Sequence, residues 1–169
     1  MNKNIVLPSA DTWAQQRLSA LIQASSQEDF NSAFDLFISH DVKEIVSNGD
    51  KISREEYKQK FRSQVFDERV ATVAFAGTVV SGKDALLSGG TGNIGMFYTA
   101  KYFEGILIHA APVEVDAKSS INLVVKHDPS LKAPSFPGGG FFDGRRVFKL
   151  NQVLVDARPT EVAPATAQT

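Results

Sequence analysis

The stretch from Ser26 to Phe66 restricts the fold of this chain more than any other, because each of its boundaries carries a separate chemical signal. Ser26 is placed to cap a helix, with Asp29 three residues on. Phe30, Ala33, Phe34, Phe37 and Ile38 then recur at i, i+3, i+4, i+7 and i+8, the apolar face of a helix packed on something flat. After His40-Asp41 the period changes. Val42 to Ser47 is short and β-branched, and Asn48-Gly49 offers the two positive φ values of a type I′ hairpin turn. The chain returns through Asp50 to Ile52. Ser53 and Glu56 form the S-x-x-E capping box of a further helix, with Ile52 and Tyr57 positioned as its hydrophobic staple.

The flanks are simpler. Ser9 or Asp11 caps a first helix whose inward stripe is Ala14, Leu18, Leu21, Ile22 and Ser25, with Trp13, Gln16 and Arg17 off that stripe. Beyond Glu68 helical periodicity fades. Val70 to Ser81 reads as a strand, with Val73, Phe75 and Val79 on one face and enough apolar residues on the other to be covered on both sides. Ile94 to Glu104 is a strand in which Ile94, Met96, Tyr98, Ala100 and Tyr102 alternate with Phe97, Thr99, Lys101 and Phe103, and it continues past a bulge at Gly105. Val113–Val115 and Ile121–His127 give the next strand region, and Arg146–Ala157 the last. Lys83–Asn93 and Pro129–Gly144 read as loops. The expected organisation is an arm over 1–8, one domain over 9–158, and a disordered tail over 159–169.

Composition removes several function classes. Eighteen Lys and Arg balance nineteen Asp and Glu, so no net field draws nucleic acid or an anionic membrane. There is no cysteine, which excludes disulfides, thiolate metal sites and a Cys nucleophile. No apolar run reaches membrane-spanning length, and Ile5-Val6-Leu7 is too short for a signal-peptide core, so the reading is cytoplasmic. Twelve of the sixteen aromatics are Phe, which favours a large apolar interior.

Chemistry-bearing residues are sparse. Gly90-Thr91-Gly92-Asn93-Ile94-Gly95 matches the G-x-G-x-x-G dinucleotide fingerprint, and Asp116 lies where a ribose-binding acid is expected. The residues after it suit a strand better than the required helix, so the segment reads as a glycine-rich connection, with dinucleotide binding kept as a third function. His40, His109 and His127 lack metal-site spacing; His109, near Tyr102 in an apolar strand region, is the candidate acid–base group. Tyr57, Tyr98 and Tyr102 carry phenols able to bond a substrate oxygen or a backbone acceptor. Asn122, Asn151 and Gln152 lie in strand patterns where an inward amide needs a partner. Alternation groups Asn151 with Val153 and Val155. Phe136 to Phe142, three Phe residues around a glycine hinge, forms either a lid or a plug.

Two N-terminal helices, a strand hairpin, a third helix and long antiparallel strands resemble the nuclear transport factor two superfamily, with its SnoaL-like members. Glu28-Asp29-Phe30, Phe34-Asp35-Leu36-Phe37, Val46-Ser47-Asn48-Gly49, Ile52 to Tyr57 and Arg146 to Leu150 carry the resemblance. It implies an α+β fold: N-terminal helices packed on a strongly curved, mainly antiparallel sheet forming a conical apolar pocket. Such proteins include cofactor-independent isomerases, cyclases and dehydratases, alongside inert binding domains. Where the isomerases keep an Asp base this chain has Ser47 and Asn48, and its first helix offers Trp13, Gln16 and Arg17 in place of the dehydratases' Tyr-Asp pair. The resulting expectation is a protein that binds a small apolar molecule, without cofactor or metal. As an enzyme of secondary metabolism it would isomerise, cyclise or dehydrate its ligand. His109 and Tyr102 would be catalytic; Trp13, Tyr57, Tyr98, Asn122, Asn151 and Phe141 would bind the ligand. The alternative is a non-catalytic ligand-binding or dimerisation domain. A homodimer through the sheet is expected, because its outer apolar face needs cover.

Overall fold

The computed structural model describes residues 6–65, 70–108, 111–135 and 142–157. Helices α1 (Ala10–Ile22) and α2 (Gln27–Phe37) come first, then strands β1 (Glu44–Ser47) and β2 (Asp50–Lys51), helix α3 (Arg54–Val65), and strands β3 (Val70–Ser81), β4 (Gly92–Ile108), β5 (Ala111–His127) and β6 (Arg145–Ala157). The strands form one sheet in the order β2-β1-β6-β5-β4-β3. β1 runs parallel to β6, and every other pair is antiparallel. Helices plus this open sheet make an α+β fold of the kind the resemblance implied, with the same order of elements.

The cap, turn and capping-box signals of the central block appear in atomic detail. Ser26 Oγ accepts from the Asp29 backbone N–H at 3.0 Å, closing the N-terminus of α2. Asn48 has φ 52° and Gly49 φ 90°, the left-handed pair of the turn. The Ser53 backbone N–H donates to Glu56 Oε2 at 2.7 Å, and the Glu56 N–H donates to Ser53 Oγ at 3.1 Å, so the capping box closes in both directions. These bonds to Ser53 also hold the Glu56 carboxyl below its ordinary value, its backbone N–H contributing most.

All three helices lie against one face of the sheet. Alternation puts Ile94, Met96, Tyr98, Ala100 and Tyr102 of β4 into that interface, and Ala117, Ile121, Leu123 and Val125 of β5 beside them. Phe30, Phe34, Tyr57 and Phe61 pack ring against ring between α2 and α3, with centroids 5.9–6.5 Å apart. Burial of each such side chain contributes about 1.5–3 kcal/mol. Trp13, expected off the inward stripe of α1, is fully buried there, 6.0 Å from the Phe37 ring. The narrow stripe undercounts this helix, because α1 is flanked by both α2 and β3 and buries a wider arc.

Register shifts bend the sheet at three places: between Phe75 and Gly77 against β4, between Glu104 and Leu107 against β5, and between Val124 and Val125 against β6. The second lies where the sequence places a bulge at Gly105. The first overturns the expected facing of β3. Ala76 is an extra residue there, so the alternation changes phase. Val73 and Phe75 face the core, but Val79 is turned to the other side and is 75% exposed. β3 is also an edge strand covered on one face only, not both.

Candidate functional site

Three regions of the described structure carry concentrated polar or exposed apolar chemistry. The first lies deep between α3 and the sheet. Gln152 stands on the inner face of β6, next to Leu150, and is fully buried. The Tyr57 hydroxyl donates to its Oε1 at 2.8 Å. Its Nε2 donates to the Tyr98 oxygen at 2.8 Å and to Ser119 Oγ at 2.9 Å. Three strands and one helix thus meet at one amide. Burial raises the Tyr57 phenol well above its usual value, with the neighbouring Tyr98 adding to it, so Tyr57 stays protonated as a donor. Beside the cluster, Lys60 Nζ donates to the buried Ser47 Oγ at 3.0 Å.

The second region is the face of the sheet that no helix covers. Cross-strand pairing aligns Val79, Gly95, Asn122, Asn151 and Val46 in one row, and Gly77, Phe97, Ser120 and Val153 in the next. The first row lines a groove of about 470 Å³ together with Val124, Asn93 and Ser81. Beside it Phe97, Val153, Val155 and Lys118 line a shallower depression of about 330 Å³. Phe97 is 61% exposed, Val153 57% and Val155 63%. With Val79 they give the uncovered face four exposed large apolar side chains, a feature associated with interaction sites on soluble proteins. Ion pairs flank it: Lys149 Nζ lies 3.6 Å from Glu44 Oε2 at one end, and Lys101 Nζ lies 3.8 Å from Asp116 Oδ1 at the other.

The third region is built on Arg145, whose guanidinium is wholly buried. It forms a paired-bond bridge to Asp143, Nε to Oδ1 at 2.9 Å and Nη2 to Oδ2 at 2.7 Å. Its Nη1 donates to the Pro8 carbonyl at 2.8 Å and the Gly90 carbonyl at 3.1 Å, and its Cζ lies 5.5 Å from the Trp13 ring centre. This explains the glycine-rich segment. A Cβ on Gly90 would collide with the Asp84 carbonyl, and one on Gly92 would lie 2.5 Å from the Ser81 carbonyl. The glycines serve a tight loop that leads into strand β4, not into a helix whose N-terminus could hold a pyrophosphate. Asp116 is also out of reach. Val125 pairs with Gly92, and Asp116 lies nine residues further back along β5, about 30 Å at roughly 3.3 Å per residue. The dinucleotide reading therefore fails on geometry.

The expected site residues do not converge. Tyr57 and Tyr98 join through Gln152. Tyr102 is buried on the same inner face, opposite Val115. Trp13 lies under Arg145. Asn122 and Asn151 face each other across β5 and β6 on the open side, away from the tyrosines. His109 and Phe141 lie outside the described residues, as does most of the Phe136–Phe142 stretch. The amide at the centre of the buried cluster is Gln152, one residue beyond Asn151. The signal was the alternation itself: Asn151 shares a face with Val153 and Val155, but those valines point to the uncovered side, so the inward position is the next one.

No family model matches the chain, and no curated protein matches it. Among solved structures, one described as "Rd1NTF2_04 with long sheet" is similar over 84% of this chain and 98% of that chain, at 10% identity and a TM-score of 0.45. Among the described residues no helix is long and apolar enough to cross a membrane. Among the described residues no group of three or more His, Asp or Glu side chains is arranged to hold a metal ion.

Proposed function

We propose that this chain is a non-catalytic α+β cone domain that pairs with a second copy of itself through the open face of its sheet. The observation that carries this reading is the exposed band of Val79, Phe97, Val153 and Val155 on that face. Small residues surround it: Gly77, Gly95, Ala74 and Ser120 let a second sheet approach to the roughly 10 Å of face-to-face packing. Charges are paired at both ends of the band by Glu44–Lys149 and Lys101–Asp116, and Lys118 is exposed within it. The inner face supports the same conclusion. The polar groups of Tyr57, Tyr98, Ser119 and Gln152 are engaged with one another, and a cluster satisfied in this way is structural more often than catalytic. Light scattering tests the reading: the wild-type chain should run at twice its 18.4 kDa mass, and Phe97→Lys at the single mass with unchanged circular dichroism. A monomeric wild type at tens of micromolar would overturn it.

A second reading rests on the groove along the same face. Val46, Val79 and Val124 give it apolar walls, and Asn122 and Asn151 place two amides at its floor, which suits a small apolar molecule with one polar end. In that case the wild type is monomeric and binds an apolar fluorescent dye saturably, and Val79→Lys does not.

A further inference from the structure

Trp13 is the single tryptophan of the chain. It is fully buried, yet its indole Nε1 has no hydrogen-bond acceptor among the described residues. A buried donor left in this way is costly and calls for an explanation. Trp13 also lines a cavity of about 190 Å³ with Pro8, Gln16, Arg17 and Asp143. The lining is rich in donors, with the Asp143 carboxylate beside them. The indole and the guanidinium only donate, and the Gln16 amide can donate too. Asp143 is committed elsewhere: Oδ1 accepts from the backbone N–H and Nε of Arg145, and Oδ2 from its Nη2. Arg17 makes no hydrogen bond or salt bridge among the described residues; its charge acts on the Asp143 carboxylate as well as on Arg146. The guanidinium of Arg146 holds its proton less firmly than usual, first through burial and then through Arg17.

We infer that the cavity between Trp13, Gln16, Arg17 and Asp143 is a binding site for a small oxyanion, a phosphate or a carboxylate. Such a ligand supplies acceptors for the orphaned indole N–H and a countercharge for Arg17, which pairs best with a planar or tetrahedral oxyanion. A neutral water would satisfy the indole but leave the Arg17 guanidinium without a bonded countercharge. The cavity volume fits an ion or a short acid, not a nucleotide.

The single indole N–H gives one resolved proton–nitrogen NMR resonance, so the site reports on itself. Titration with inorganic phosphate and, separately, with acetate, each against sodium chloride of equal ionic strength, should move that resonance saturably. Arg17→Ala should weaken the response about tenfold or more, and Gln16→Ala, on the exposed side of α1, should weaken it less. A response to phosphate alone identifies a tetrahedral ligand, and one to acetate alone a carboxylate. A resonance that follows chloride identically in all three titrations, or a wild-type response in Arg17→Ala, overturns the site.

Discussion

Tyr57 and Gln152 are 95 residues apart in sequence and meet at 2.8 Å, hydroxyl to amide oxygen, in the interior. This contact ties α3 to β6, and through Tyr98 and Ser119 it ties β6 to β4 and β5. A buried cluster of this kind is stabilising only while every member is satisfied.

Replacing Gln152 with Leu should therefore cost more than removing any one of its partners. It removes a bond from each of Tyr57, Tyr98 and Ser119 at once, and about 2–4 kcal/mol of folding stability should be lost. Tyr57→Phe removes one bond and should cost about 1–2 kcal/mol. Urea unfolding of both single variants and the double variant measures the difference. Strict additivity would show that the two side chains do not act together.

Asp143 gives the fold an acid-sensitive joint. Burial by itself would raise its carboxyl, but the bonds and charge of Arg145, with Arg17 behind, hold it below the ordinary carboxylate range. A depressed carboxyl contributes stability that is fully present above its unfolded value and is lost as pH falls through the folded one. Stability should thus be level from neutral pH to about pH 5 and fall below about pH 4. Asp143→Asn should flatten that acid limb. It should also lower the plateau by about 3–5 kcal/mol, because Arg145 is left buried without its counter-ion. Urea midpoints measured across pH decide this.

The β1–β2 turn is held twice. Asn48 adopts a positive φ, and its side chain reaches β6, accepting from the Leu154 N–H at 2.7 Å and donating to the Leu154 carbonyl at 3.1 Å. Asn48→Ala loses both bonds and strains the turn, and should cost about 2–3 kcal/mol. Asn48→Gly loses only the bonds and should retain about 1 kcal/mol of that. Equal losses in thermal or urea unfolding would mean that the turn conformation itself contributes nothing.

These elements differ in how openly the sequence announced them. The caps, the turn and the staple are local, so Ser26, Asn48-Gly49 and Ser53–Glu56 could be read from neighbours a few residues away. The facing of β3 and β6 could not. One inserted residue, Ala76, reverses the phase of Val79, and β6 carries valines on the uncovered side, where burial is no guide. The Arg145 bridge joins Pro8, Gly90 and Asp143, residues brought together by the completed sheet. The candidate site was legible as residue types but not as an arrangement: the tyrosines and the asparagines lie on opposite faces.

The absence of native cysteine allows the most direct test of face-to-face pairing. A single cysteine at Ser120, in the middle of the open face, and another at Glu28, on α2 on the opposite side, are treated with a short bifunctional maleimide. The account predicts rapid covalent dimer from Ser120→Cys and little from Glu28→Cys. Equal slow crosslinking of both variants, or crosslinking through Glu28→Cys alone, would contradict it.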